Sequence, residues 1–182
     1  MSRALLALGS NLGDRAEHLR AAVHGLDDVL VLVSGVYETP PWGGDTDQPA
    51  YLNAVVLVAD DALAADWLAR AQALESSAGR VRDPERRFGP RTLDVDVIMV
   101  WSDDGLPVIS ADPQLTLPHP RAHLRAFVLR PWLDIQPYAQ IPGYGWVADL
   151  IRTEPIAAEL PALTPQVDLD LQDQTSDRSE LT

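Results

Sequence analysis

The sequence predicts an α+β domain in which an antiparallel sheet carries helices packed on one face and a C-terminal extension follows. Three observations predict it. Four apolar runs of strand length and two stretches of helical spacing succeed one another as strand, helix, strand, strand, helix, strand. Both helical stretches open beside an aspartate, and the second closes at a glycine. The two middle strands lie close enough in sequence to pair as an antiparallel hairpin. That βαββαβ order is the ferredoxin-like arrangement.

Each element has its own grounds. Arg3–Leu8 reads as a short buried strand ended by the turn Gly9-Ser10-Asn11-Leu12-Gly13. Asp14 caps a helix on which Leu19, Val23 and Leu26 recur at helical spacing. Val29–Tyr37, rich in Val and Leu, is the second strand; Pro40-Pro41 ends it, and a Pro/Gly-bearing loop runs on to Pro49. Tyr51–Val58 is the third. Asp60 or Asp61 starts the second helix, which carries Leu63, Trp67, Leu68, Ala71, Leu74 and Ala78 and stops at Gly79. An arginine-rich loop spans 80–91, and Leu93–Val100 is the fourth strand. Beyond it the signals thin to a short hairpin through Val108-Ile109 and Leu115–Leu117. From Thr153 the composition turns to Pro, Glu, Asp, Gln and Ser, so residues 1–152 read as the domain and 153–182 as an acidic, mostly flexible tail.

Composition narrows the function. At 182 residues, 46% hydrophobic and 23% charged, the chain fits one domain with a real core. No apolar run reaches the roughly 20 residues of a membrane span, so a cytoplasmic protein with no membrane partner is expected. The absence of cysteine removes disulfides, thiol catalysis and thiolate metal sites, leaving oxygen or histidine ligands for any metal. A net charge of −13 disfavours nucleic acid as a partner. Against that background Arg80, Arg82, Arg86, Arg87 and Arg91 crowd one loop with only Asp83 and Glu85 opposing them. The chain has no lysine, so these cations are all guanidiniums, suited to two-pronged contacts with phosphate or carboxylate.

Asp94 and Asp96 interrupt the fourth strand. Aspartate is depleted in strands because it competes for backbone hydrogen bonds and resists burial. Alternation puts Leu93, Val95 and Val97 toward the helices and Thr92, Asp94, Asp96 and Ile98 on the other face. Two carboxylates roughly 7 Å apart along the strand repel unless a cation joins them. A wet sheet face whose charges discourage edge pairing is one account. The adjoining arginines favour another: a divalent cation on both carboxylates, turned toward guanidiniums, is a workable polyphosphate site. Magnesium takes one or two carboxylates together with phosphate oxygens and water.

Other groups fit around this pair. The Gly9–Gly13 turn reads as a phosphate cradle or as a tight strand-to-helix turn. Gln72 and Glu75 share a helix face next to the start of the arginine loop; standing alone they would read as an ordinary solvated face. Tyr51 and Asn53 alternate onto one side of the third strand, with Thr39, Pro40 and Trp42 nearby. An aromatic wall and an amide of this kind suit a flat heterocycle. His119 and His123 have i, i+4 spacing, but Pro120 takes His119 out of helical geometry. His119 reads better as a hydrogen-bond donor to phosphate beside Arg121 or Arg125.

Six segments carry a resemblance: LGSNLGD (8–14), VYETPPWGG (36–44), QPAYLNAVV (48–56), LESSAGRVR (74–82), FGPRTLDVDVI (88–98) and LPHPRAHLRAFVL (117–129). In this order, across about residues 3–135, the chain resembles the 6-hydroxymethyl-7,8-dihydropterin pyrophosphokinases of the folate pathway. The resemblance implies transfer of the β,γ-pyrophosphoryl group of the co-substrate ATP to the pterin alcohol, with AMP released and two magnesium ions (Mg2+) bridging the phosphates. It implies Asp94 and Asp96 as ligands of both ions and Arg80 and Arg91 as phosphate contacts. Gln72, Glu75, Arg82, Val97, Thr116, His119 and Arg125 match positions lining the ATP site. Thr39, Pro40, Trp42, Tyr51, Asn53 and Phe127 match the pterin pocket, with Phe88 at an aromatic lid position often filled by Trp. Other folate-pathway enzymes enter as possible partners. The chain departs from the pattern in a loop between Arg82 and Gly89 one residue longer than in the commonest members, and in Pro120 where some relatives carry an aromatic.

No general base stands out, so metal and arginines are expected to carry catalysis, with loops 80–91 and 40–49 closing over the substrates. Two rivals share the strand order. A two-metal nucleotidyltransferase uses the same paired carboxylates and releases pyrophosphate. An RRM-like binding module needs aromatic and basic residues across the sheet, a pattern YLNAVVLV lacks.

Overall fold

The two longest strands are apolar on both faces, so the sheet they form needs cover on both sides. Ala4, Leu5, Leu6 and Leu8 of the first, and Ala54 through Val58 of the longer one, are all buried. The computed structural model describes residues 1–42, 47–79 and 90–173. In chain order its elements are β1 (Ser2–Ser10), α1 (Arg15–His24), β2 (Leu30–Val33), β3 (Tyr37–Thr39), β4 (Tyr51–Asp60), α2 (Ala64–Ser77) and β5 (Asp94–Trp101). There follow β6 (Ser110–Asp112), β7 (Leu115–Leu117), α3 (Ala126–Ile135), β8 (Gln140–Ile141), β9 (Gly145–Trp146), α4 (Val147–Leu150), α5 (Ile156–Glu159) and β10 (Thr164–Pro165).

The main sheet runs β10-β3-β4-β1-β5, antiparallel throughout, with β2 also beside β4. The expected second strand is broken in two. Ser34 donates its N–H to Val55 O (3.0 Å), and its hydroxyl accepts the Val55 N–H (2.9 Å), so a side chain takes over the ladder between β2 and β3. Asp14 caps α1 as expected, accepting the Glu17 N–H at 3.0 Å. α2 starts later than expected, with Leu63 and not Asp60 or Asp61 at its cap. Asp66 accepts the Leu63 N–H at 2.7 Å, while Asp60 is engaged by Arg70 at 3.1 Å. Gly79 closes α2 with φ +68°, a left-handed conformation that glycine adopts without strain.

Leu19 and Val23 of α1 and Trp67 and Ala71 of α2 cover one face, packed on Leu6, Leu8, Val56, Val95 and Val97. Placing all helices on that face needs correction, because α3 covers the second. Val128, Leu129 and Trp132 bury Leu5, Val55, Ile98 and Met99 there. A bulge serves this packing: the β1 partners jump from Met99 to Val97 between Leu5 and Leu6, so Ile98 and Met99 both supply the second core.

Two further expectations change. The first arm of the short hairpin is Ser110–Asp112, since Val108 instead donates to Val100 O at 2.8 Å. The segment 153–173 is not a loose tail starting at 153. Ile156 and Leu171 are each 2% exposed within the two cores, and β10 adds to the sheet, so the fold continues past residue 152. Residues 174–182 lie outside the described ones. Among the described residues no helix is long and apolar enough to cross a membrane.

Candidate active site

The second face has two halves: α3 covers one, and the other is open. Its floor is a register row in which Asn53 pairs with Gly9, and Gly9 with Asp94. Glycine is required in the row, because a Cβ on Gly9 would stand 2.8 Å from Asn53 Oδ1. Above the row lies a cavity of about 490 Å³. Every site residue expected from the sequence that falls among the described ones lines it. Arg80, Arg82 and Phe88 lie outside the described residues.

One end is charged. Asp94 and Asp96 project together from β5, as alternation predicts, and both are already partnered. Arg91 Nη1 lies 3.0 Å from Asp94 Oδ1, and Arg125 Nη1 donates to Asp96 Oδ2 at 2.6 Å. Burial works against the Arg91 cation, but Asp94, Tyr51 and Asp96 more than offset it and raise its pKa. Burial likewise opposes the Asp96 charge; the Arg125 guanidinium, aided by His119 and Arg91, outweighs it and lowers the carboxyl's pKa. His119 Nδ1 accepts the Arg121 N–H at 3.1 Å, which leaves Nε2 to carry the ring proton, 3.9 Å from Asp96. Burial, opposed by Asp96 and helped by Arg125 and Arg121, lowers the His119 pKa, so the ring is a neutral donor at pH 7.

Along this wall stand Gln72 and Glu75 of α2, Val97 of β5 and Thr116 of β7. Glu75 is not on a solvated helix face. It is 5% exposed and accepts the Val95 N–H at 2.9 Å, closing the edge of β5. Thr116 donates its hydroxyl to Asp112 O at 2.9 Å.

The other end is a slot of neutral groups: Thr39, Pro40, Trp42, Tyr51, Asn53 and Phe127. Asn53 Nδ2 donates to Thr39 Oγ1 at 2.7 Å, which fixes the amide's orientation. Trp42 and Phe127 meet edge to face, with centroids 6.1 Å apart. Arg125 joins the ends. Its guanidinium carbon lies 5.6 Å from the ring centres of both Trp42 and Phe127 while its Nη1 holds Asp96.

Asn11 is the group that sequence reading missed. It is 1% exposed; its Nδ2 donates to Gln48 Oε1 (2.9 Å) and Pro49 O (3.1 Å), and its Oδ1 accepts the Arg91 N–H (2.9 Å). One amide therefore ties the slot loop to the charged end. Its only signal was an Asn inside a Gly-Ser-Asn-Leu-Gly turn, which reads as turn chemistry. Gln114 and Arg121 line the cavity as well.

Two hard carboxylate donors, with no cluster of three His, Cys, Asp or Glu among the described residues, fit a divalent cation that takes its remaining ligands from substrate oxygens and water. Together with an α+β fold built on an antiparallel sheet, this arrangement suits an enzyme that handles polyphosphate, and comparison makes the class that of the pyrophosphokinases. A 2-amino-4-hydroxy-6-hydroxymethyldihydropteridine pyrophosphokinase of Mycobacterium tuberculosis is 49% identical over 151 residues, 80% of this chain and 78% of that protein. One of Mycobacterium leprae is 51% identical over the same shares, and one of Methylorubrum extorquens is 40% identical over 87% of this chain and 98% of that protein. The chain belongs to the 7,8-dihydro-6-hydroxymethylpterin-pyrophosphokinase (HPPK) family, whose model matches residues 5–137. The fold is shared with a wild-type HPPK-DHPS of Plasmodium falciparum (TM-score 0.60, 12% identity), over 83% of this chain and 44% of that one. This chain thus spans less than half the length of that solved chain.

Proposed function

We infer that this cavity is where the family's reaction runs: the protein transfers the pyrophosphoryl group of ATP to the hydroxymethyl group of 6-hydroxymethyl-7,8-dihydropterin, giving AMP and the pterin diphosphate in folate biosynthesis. The observation that carries this reading is the single cavity in which a guanidinium-flanked carboxylate pair and an aromatic-amide slot share Arg125. The slot suits a flat heterocycle, with the Asn53 amide at its base. The charged end suits the triphosphate. Asp94 and Asp96 would hold two magnesium ions, which supply charge neutralisation along the phosphates.

The chain's own residues do the rest by placement. The pterin hydroxyl oxygen attacks the β-phosphorus, the bond from that phosphorus to the α–β bridging oxygen breaks, AMP leaves with that oxygen, and the hydroxyl proton passes to solvent water. Arg91 and Arg125, now held by carboxylates, are poised to turn to phosphate oxygens. His119 donates from Nε2. Gln72, Glu75, Val97 and Thr116 wall the nucleotide. The same reading gives Arg80 to the transferring group, Arg82 to the nucleotide and Phe88 to the lid, positions outside the described residues. The strand order β3-β4-β1-β5 with α1 and α2 on one face supports a ferredoxin-like core. The cytoplasm is the proposed compartment, a reading supported by the use of ATP as co-substrate. Other folate-pathway enzymes are proposed as partners, a reading supported by the HPPK-DHPS chains that share this fold.

The test is incubation with ATP, magnesium and the hydroxymethyl pterin, with nucleotide products separated. AMP is expected to form one for one with pterin consumed. ADP, free pyrophosphate from a nucleotidyl transfer, or no pterin-dependent turnover would each overturn the assignment.

A further inference from the structure

The indole of Trp42 has one polar atom, and the group that satisfies it comes from beyond residue 137, where the family match ends. Trp42 Nε1–H donates to Glu159 Oε1 at 3.3 Å, across 117 positions of sequence. Glu159 ends α5, and that short helix is fixed at its other end by Ile156, 2% exposed in the core beneath α3. Just past Glu159 the chain adds β10 to the sheet. Thr164 and Pro165 pair with Glu38 and Tyr37, and Gln166 donates to Val36 O at 2.8 Å. The segment 156–166 thus grips β3 and the side chain three residues beyond its end.

We propose that Glu159 is a positioning residue for the pterin slot, and that segment 156–166 is a strap setting the angle of the slot's Trp42 wall. The proposal rests on the reading that this slot takes the pterin. Among the described residues, Trp42 also meets Phe127 edge to face and lies under the Arg125 guanidinium. Both tolerate sliding and tilting, because aromatic-edge and cation–π attractions vary slowly with angle. A hydrogen bond to a carboxylate is directional and charge-assisted. It is therefore the contact that selects one ring orientation. A heterocycle stacked against a ring held at the right angle forfeits less freedom on binding. Glu159 does not line the cavity and reaches it through Trp42, so its effect belongs to pterin binding.

The experiment compares wild type, Glu159→Ala and Glu159→Gln in the full chain, with steady-state kinetics for each substrate. The Trp42 indole N–H resonance, identified by its loss in Trp42→Phe, is followed in parallel. In Glu159→Ala the pterin KM is expected to rise about 3- to 10-fold, the loss of one hydrogen bond to a partly exposed charged acceptor. The kcat and the ATP KM stay within about two-fold, and the indole N–H resonance moves. Glu159→Gln keeps an acceptor oxygen and restores both toward wild type. A pterin KM and an indole resonance both unmoved in Glu159→Ala would overturn the proposal, as would a kcat loss equal to the KM change. Absence of pterin-dependent AMP formation by the wild type would instead defeat the reading beneath it, a separate and distinguishable outcome.

Discussion

The charged end and the slot end of the cavity are built by opposite means. At the charged end each carboxylate is held by a guanidinium, at 3.0 Å for Asp94 and 2.6 Å for Asp96. At the slot end an amide meets a hydroxyl at 2.7 Å and one aromatic edge meets another ring, with the Glu159 carboxylate holding the Trp42 indole from outside the cavity. The first end is ordered by mutual neutralisation, so the metal-bound polyphosphate proposed for it would have to exchange those ion pairs for new ones. The slot's internal bonds need not break when a neutral heterocycle enters. The free protein thus keeps its charges paired in a partly dry pocket, where an unpaired charge would be costly, and keeps its slot close to the shape it needs.

The largest effect should come from breaking the charged end. Asp96→Asn keeps the side chain's volume and removes one of the two carboxylates. Loss of turnover of about 10²-fold or more is expected, the scale for removing one preorganised charge-stabilising group. Asp94→Asn should behave likewise. Pterin affinity, read by titration calorimetry in the absence of nucleotide, should change little in either variant. Near-normal turnover in folded Asp96→Asn would return the pair to a mere wet sheet face. A large loss of pterin affinity in either variant would erase the contrast between the ends.

The slot should fail in the complementary way. Asn53→Leu removes an amide that is 7% exposed and leaves the Thr39 hydroxyl without this donor. An unmet polar group costs about 1–3 kcal/mol, so pterin binding should weaken by roughly 5- to 150-fold. Binding of a nonhydrolysable ATP analogue with magnesium should be unaffected. If nucleotide binding falls in step with pterin binding, the two ends are not separate devices.

The charged end was legible because its parts are local. Arg91 and Asp94 are three residues apart, and period-2 alternation alone puts Asp94 and Asp96 on one face. The slot was nearly as legible, because a hairpin brings Thr39 opposite Tyr51. What stayed hidden depends on contacts distant in sequence. α3 contains Pro131, which by local rules ends a helix, yet the helix runs to Ile135 with Pro131 buried. The segment after 153 is acidic and proline-bearing, a composition that reads as disorder. Its anchors Ile156 and Leu171 lie too far apart to form a period, so only the packed fold shows that they are buried. The same holds for Asn11, whose amide satisfies two chain segments that the sequence keeps far apart.

The smallest expected effect concerns a charge placed behind the slot. Tyr37 donates its hydroxyl to Asp134 Oδ2 at 2.9 Å, Arg130 holds the same carboxylate at 2.7 Å, and the guanidinium carbon lies 5.4 Å from the Tyr37 ring centre. This cluster joins β3, which leads into the slot, to α3. Burial first, then the bond and charge of Asp134, push the Tyr37 pKa up to about 12. Because the folded pKa is raised above the unfolded value of about 10, the contribution is fully present below pH about 10 and is lost as pH rises toward 12. Tyr37→Phe should therefore flatten the alkaline fall in stability by roughly 1–3 kcal/mol, read from urea melts at pH 7 and pH 11. At pH 7 it should cost only about 1 kcal/mol, since Asp134 keeps Arg130. Among the four tyrosines, one late ionisation in the ultraviolet titration should vanish with the substitution. Pterin KM at pH 7 should rise by less than about 3-fold, because the slot's own bonds stay intact. Parallel alkaline slopes in wild type and variant would show that the cluster of Tyr37, Asp134 and Arg130 contributes no charge contact of consequence behind the slot, leaving Glu159 as the charge that supports the slot from outside.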